Sequence, residues 1–71
     1  MRSLAENINN LQKAVSYYRH VEQVLASGAG NPRMAQEAST WVGQAALDLG
    51  DSLIQEANEL ANVTGYLRDA S

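Results

Sequence analysis

The sequence predicts an all-α protein, an antiparallel hairpin of two helices. Three observations support this prediction. Apolar residues recur at spacings of three and four in the first third of the chain, a short break with glycine and proline follows, and a longer helical pattern comes after it. The 71 residues are expected to form one domain, residues 1–71, and a domain of this size often needs a partner for stability.

The first helix is predicted over residues 4–26. Ser3 and Glu6 form a capping-box pattern at its start. The apolar residues form a single stripe, as expected for a helix with one buried side. The members of this stripe are Leu4, Ile8, Leu11, Val15, Tyr18, Val21 and Leu25.

The break is predicted to be a turn over residues 27–31, within the sequence SGAGNP. Gly28 and Gly30 suit the left-handed conformation that ends many helices. Asn31 is a favourable N-cap, and Pro32 suits the first position of the next helix. Because the connection is short, we expect the second helix to fold back antiparallel on the first.

The second helix is predicted over about residues 32–64, with Gly65 as its stop. Its apolar and small residues span roughly 240° of the helical wheel, more than one partner helix covers. We therefore expect a homodimer in which two hairpins form a four-helix arrangement. Gly43 and Gly50 either allow close packing of helices or weaken a surface helix. The residues predicted for the hairpin and dimer core are Leu11, Val15, Tyr18, Trp41, Leu47, Gly50 and Ile54.

A narrow polar face remains on the second helix, and it carries Asp48 and Asp51. These carboxylates are one turn apart with no cation beside them on the helix. They form either a solvated surface or an interaction surface for a basic protein. Tyr, Trp and Arg are enriched at binding hot spots, although Tyr17 and Trp41 also suit the edge or core of a hairpin. The predicted partner-binding residues are Tyr17, Arg19, Asp48, Asp51 and Gln55.

The composition argues against several functions. The chain has no cysteine and one histidine, His20, so we expect neither a metal site nor a cofactor. Its net charge is −3 and its five basic residues are not clustered, which disfavours nucleic-acid binding. We see no membrane-spanning apolar run and no signal peptide, and we expect a cytoplasmic protein. No catalytic set or phosphate-binding loop is recognisable, so we expect no enzyme.

The central part of the chain resembles the quorum-sensing anti-activators encoded by temperate phages of pseudomonads. The resemblance is carried by Trp41, by the run AALDLGDSLI at residues 45–54, and by NINNLQKA at residues 7–14. It implies a homodimer of helical hairpins that binds a LuxR-type transcriptional activator of the host and blocks the activator's access to DNA. It also implies inhibition of a type IV pilus assembly ATPase.

Two other functions remain open on the sequence. The chain could be a structural subunit of a larger helical assembly, in which case it would form an open-ended polymer and not a closed dimer. It could also be a small-ligand-binding protein whose hairpins assemble around a nucleotide-like molecule. The phosphate contacts of such a ligand would have to come from Lys13, Arg19 and Arg33.

Overall fold

The computed structural model describes the backbone of residues 2–70 and the side chains of residues 2–65. Two helices, α1 (Leu4–Ala26) and α2 (Pro32–Ala70), pack against each other, and the described residues form no strand. The predicted all-α hairpin is therefore confirmed. The chain measures 64 × 16 × 14 Å, so it is a rod rather than a globule.

The start of α1 is fixed by its cap. The Ser3 hydroxyl oxygen accepts a hydrogen bond from the Glu6 backbone N–H at 3.2 Å. The same hydroxyl donates to Glu6 Oε1 at 3.2 Å, and the Asn7 N–H donates to the Ser3 carbonyl. These bonds satisfy donors that the first turn of a helix leaves without partners.

The end of α1 is a Schellman motif. Gly28 has a φ of 81°, and its N–H donates to the Leu25 carbonyl, while the Ala29 N–H donates to the Val24 carbonyl. Gly30 fits closely against α1, because an added Cβ would lie 2.9 Å from side-chain atoms of both Val24 and Leu25. The turn thus favours glycine at both positions, at Gly28 for its conformation and at Gly30 because the side chains of α1 lie close to it.

The start of α2 is also capped as the sequence predicts. Asn31 Oδ1 accepts from the backbone N–H groups of Arg33 at 3.0 Å and Met34 at 3.3 Å. The end of the helix differs from the prediction. α2 continues through Gly65 to Ala70 instead of stopping near residue 64. A glycine lowers helix propensity by about 1 kcal/mol, and here that cost does not end the helix.

The contact between the helices is a seam of small side chains at heptad spacing. On α1 the buried residues are Asn7, Ala14 and Val21, and on α2 they are Ala38, Ala45 and Ser52. The two sets run in opposite order, so the polar members lie at the open end of the hairpin and Val21 and Ala38 lie near the turn. Small residues at every seventh position allow the two backbones to approach closely along their length.

The seam differs from the predicted stripe of α1. Val21 is buried as expected, but Ile8 and Tyr18 are exposed, and Leu11 and Val15 are only half-buried. The predicted stripe was centred about 60° away from the observed contact, at 100° per residue. The reason is physical: α2 presents alanines, and the closest approach therefore falls on small side chains rather than on the larger neighbouring ones.

α2 is much longer than α1, so it extends past the open end of the hairpin. At 1.5 Å per residue the helices are about 35 Å and about 58 Å long. The first residues of the chain, including Ser3 and Leu4, lie in a cleft with Ser52, Gln55 and Glu56. Glu56 is exposed there and marks the limit of α1. From residue 53 to residue 65, every side chain of α2 is exposed.

A glycine-to-alanine substitution tests the turn. Gly28→Ala should lower the free energy of unfolding by about 1 kcal/mol, because a side chain is strained at positive φ. Urea unfolding followed by far-UV circular dichroism, at one fixed protein concentration, measures the change. Gly65→Ala is the control, since Gly65 is helical and an added Cβ would meet nothing within 4 Å. Equal stability of Gly28→Ala and the unsubstituted protein would contradict the role assigned to the turn.

Candidate functional site

The hairpin has two unlike sides, and one of them combines aromatic and acidic side chains. Trp41 contacts both Asn10 and Tyr17 of α1, which identifies the row of each helix on this side. Asp48 is seven residues after Trp41 and so continues the same row of α2. The aromatic–acidic face is defined here as Tyr17, Trp41, Gln44, Asp48 and Asp51.

The aromatic pair bridges the two helices. The ring centroids of Tyr17 and Trp41 are 5.8 Å apart with an interplanar angle of 47°, which lies within the favourable range for aromatic pairs. The Trp41 indole N–H donates to Asn10 Oδ1 at 3.3 Å. Trp41 remains 37% exposed. It is therefore an oriented surface residue and not a plug in the hairpin core.

The two carboxylates of this face lie on neighbouring turns of α2. Asp48 is half-buried and Asp51 is exposed, and residues so spaced have Cβ atoms about 5–6 Å apart. The Gln44 amide donates to Asp48 Oδ1 at 3.3 Å, which orients the Asp48 carboxylate. The arrangement is a pair of neighbouring negative charges next to an aromatic surface.

Asn7 connects this acidic pair to the seam. Its side chain is 3% exposed, and Nδ2 donates to the Asp48 carbonyl oxygen at 3.3 Å. Its Oδ1 is buried with no hydrogen-bond partner among the described residues. An open cleft of about 320 Å³, called the Asn7 cleft below, is lined by Arg2, Asn7, Asp48 and Asp51. A buried acceptor without a donor costs about 1–3 kcal/mol.

The other predicted partner-binding residues fall on different sides. Gln55 is seven residues after Asp48, so it extends the same row, and its amide donates to Glu59 Oε1 at 3.4 Å. Arg19 is two residues after Tyr17, which places it about 200° around α1. The structure therefore brings Tyr17, Asp48, Asp51 and Gln55 to one side and leaves Arg19 on the other.

The part of the α2 surface that faces away from the aromatic–acidic face is continuously apolar. The apolar strip is defined as Ala46, Leu47, Gly50, Leu53, Ile54, Ala57, Leu60 and Ala61. Leu47 is 66% exposed and Ile54 is 62% exposed, so one hairpin alone does not bury them. An added Cβ at Gly43 or Gly50 would meet nothing within 4 Å, so neither glycine serves packing inside one chain. A place for these residues in a dimer stays a prediction.

The three cations considered for phosphate binding do not converge within one chain. Arg33 Nε lies 4.0 Å from Glu37 Oε1 on the outer face of α2. Lys13 lines a cleft that it shares with Glu6 and Asn10 of α1. Arg19 lies on the side of the hairpin that faces away from Tyr17. A nucleotide-like ligand would thus need cations from more than one copy.

Sequence reasoning missed two residues of this site, Asn7 and Arg2. Asn7 stands seven residues before Ala14 and fourteen before Val21, and this heptad series was the signal that could have placed it on the seam. Arg2 precedes the first helix, so no periodicity applies to it. Its approach to Asp48 and Asp51 depends on the register of the two helices.

The described part of the chain contains no candidate metal site and no candidate membrane span. No group of three or more His, Cys, Asp or Glu side chains is placed to hold a metal ion among those residues. Neither helix, as far as it is described, has a stretch long and apolar enough to cross a membrane.

Comparison with known proteins gives no match. The chain matches no protein-family model, no curated protein and no solved structure.

Replacing Asn7 tests the cost of its buried acceptor. Asn7→Leu should raise the free energy of unfolding by about 1 kcal/mol, because it removes an unsatisfied oxygen and adds apolar burial to the seam. Urea unfolding at fixed protein concentration measures the change. Asn9→Leu, at an exposed position of the same helix, should change stability by less than about 0.5 kcal/mol. A loss of stability in Asn7→Leu would mean that the bond to the Asp48 carbonyl outweighs the unsatisfied oxygen.

Proposed function

We propose that this protein is a small binding protein that inactivates a LuxR-type quorum-sensing activator of a bacterial host by direct contact in the cytoplasm. It acts as a homodimer and blocks the activator's access to DNA without catalysing a reaction. The resemblance to phage-encoded anti-activators suggests this target, and it also suggests a type IV pilus assembly ATPase as a second one. The observation that carries the proposal is the aromatic–acidic face.

The chemistry of this face suits the DNA-binding surface of a transcriptional activator. Such a surface is rich in Lys and Arg because it must neutralise DNA phosphates. Asp48 and Asp51 offer it neighbouring negative charges, and the chain's net charge of −3 favours approach to a basic partner. Tyr17 and Trp41 add aromatic area of the kind that dominates binding energy at interfaces. Occupation of the basic surface by this face would exclude DNA.

The dimer is supported by what one hairpin leaves uncovered. No large side chain is fully buried in the described part of the chain, so the seam of one hairpin contributes little hydrophobic stabilisation. In contrast, the apolar strip exposes leucine and isoleucine side chains whose full burial would contribute about 1.5–3 kcal/mol each. Contiguous apolar surface of this kind marks an interaction site. A second copy packed through α2 would cover the strip and leave both aromatic–acidic faces outward.

The acidic pair is tested by charge reversal. In an affinity pull-down with a purified LuxR-type activator, the variant with Asp48→Lys and Asp51→Lys should recover at least about tenfold less activator, because two attractive charges become repulsive ones. DNA binding by the activator, measured by gel shift, should then be restored.

The matched control reverses two other charges. Glu22→Lys with Glu56→Lys changes the net charge equally, and neither residue lines the Asn7 cleft or belongs to the aromatic–acidic face. This control should retain the activator. If both double variants lose activator equally, the effect comes from overall charge and not from the acidic pair. If the unsubstituted protein recovers no activator, the proposed target is overturned.

The dimer is tested at Gly50. If α2 packs closely on α2 of a second copy, Gly50→Leu should overpack that contact and shift the protein towards monomer in sedimentation equilibrium. Ser16→Leu adds the same side chain to the exposed outer face of α1, and it should leave the dimer intact. A dimer unaffected by Gly50→Leu would contradict close packing at this glycine, and a ladder of larger species would favour open-ended assembly instead.

A further inference from the structure

We propose that the Asn7 cleft binds the guanidinium group of a single arginine side chain. The inference rests on the proposed function for the source of that arginine, which is the basic surface of the bound activator. It goes beyond a general acidic surface, because it assigns one residue type of the partner to one place on this protein.

The cleft assembles acceptors from both helices. α2 provides the carboxylates of Asp48 and Asp51, and α1 provides Asn7, whose Oδ1 has no donor within the described residues. The Gln44 amide donates a hydrogen bond to Asp48 Oδ1, so this carboxylate is already oriented in the unbound protein. A planar guanidinium carries five N–H donors in a fixed fork, which suits several separated acceptors better than the compact ammonium of lysine.

The position of Asn7 makes the assignment stronger than an acidic pair alone. Asn7 is 3% exposed, and its Nδ2 is already engaged with the Asp48 carbonyl. Buried polar groups in proteins are almost always hydrogen-bonded, and an exception calls for an explanation. A donor that enters the cleft and draws the carboxamide towards it would supply the missing partner.

The net charge of the cleft favours a monovalent guest. Two carboxylates and the guanidinium of Arg2 give a sum of −1 for the lining side chains. One arginine from a partner neutralises this charge, whereas a divalent metal would leave an excess. Calcium also takes six to eight oxygen ligands, and the side chains of Asn7, Asp48 and Asp51 offer at most five. A volume of about 320 Å³ is at the lower end for small-molecule sites, which suits one side chain.

The test uses N-acetyl-L-arginine amide as the probe and the unsubstituted protein labelled with ¹⁵N. Titration should shift the Asn7 side-chain NH₂ resonances and the backbone amides of Asp48 and Asp51, and the shifts should saturate with a Kd of roughly millimolar order. N-acetyl-L-citrulline amide has the same shape without the charge and should produce no saturable shift. The corresponding lysine amide should bind several-fold more weakly.

Two double variants localise the binding. Asp48→Asn with Asp51→Asn keeps the shape of both side chains and should weaken arginine amide binding by about tenfold. Glu37→Gln with Glu59→Gln removes the same charge from residues that do not line the cleft, and it should bind as the unsubstituted protein does. Equal binding of citrulline amide or lysine amide, or equal weakening in both double variants, would overturn the assignment.

The titration with arginine amide and the pull-down test the two proposals separately. Recovery of the activator without arginine amide binding at the cleft would overturn this inference and leave the proposed function intact. Saturable binding of arginine amide without recovery of the activator would overturn the proposed function, and the cleft would then be a guanidinium site for a different basic partner.

Discussion

The hairpin depends on one constraint, the close approach of α1 and α2 along a seam of small residues. Ala14, Ala38 and Ala45 are buried in it, and alanine favours helix while occupying little space. Such a seam fixes the distance and register of the helices, but it buries little apolar area. The larger apolar side chains are therefore displaced to the flanks and to the back of α2. The same constraint that defines the hairpin thus leaves it with too little core to be very stable alone.

This division of roles organises the surface. The seam separates an aromatic–acidic face from an apolar strip, and the two are chemically suited to different contacts. The strip suits a second copy, because it is apolar and contains small residues such as Gly50 where backbones can approach. The face suits a basic partner. An assembly that covers the strip would leave one such face on each hairpin, so dimerisation and partner binding would not compete for the same residues.

The sequence predicts where the two helices begin, but it does not predict which side of each helix faces the other. Caps and turn residues such as Ser3, Gly28 and Asn31 act locally, so their signals could be read directly, and both helices begin where expected. The end of α2 was missed because Gly65 is a weak stop inside an otherwise regular helix. The side of α1 that meets α2 differs from the predicted side because the contact follows Ala14 and not the large apolar residues of the predicted stripe. The site followed the same logic: Trp41, Asp48 and Asp51 were identified on one helix, whereas their alignment with Asn7 and Arg2 depends on the register between helices.

Asn7 shows how stability and the proposed recognition are opposed in this protein. The other heptad positions of α1 carry Ala14 and Val21, and an apolar residue at position 7 would complete the series and remove an unsatisfied acceptor. An asparagine within an apolar seam lowers stability but restricts the register that the helices can adopt, and the bond from Nδ2 to the Asp48 carbonyl provides that restriction here. The other polar atom of the side chain, Oδ1, has no hydrogen-bond partner among the described residues. If a guanidinium provides one, the energy lost in the unbound hairpin is regained on binding, and the site would discriminate against a surface that offers no arginine at that place.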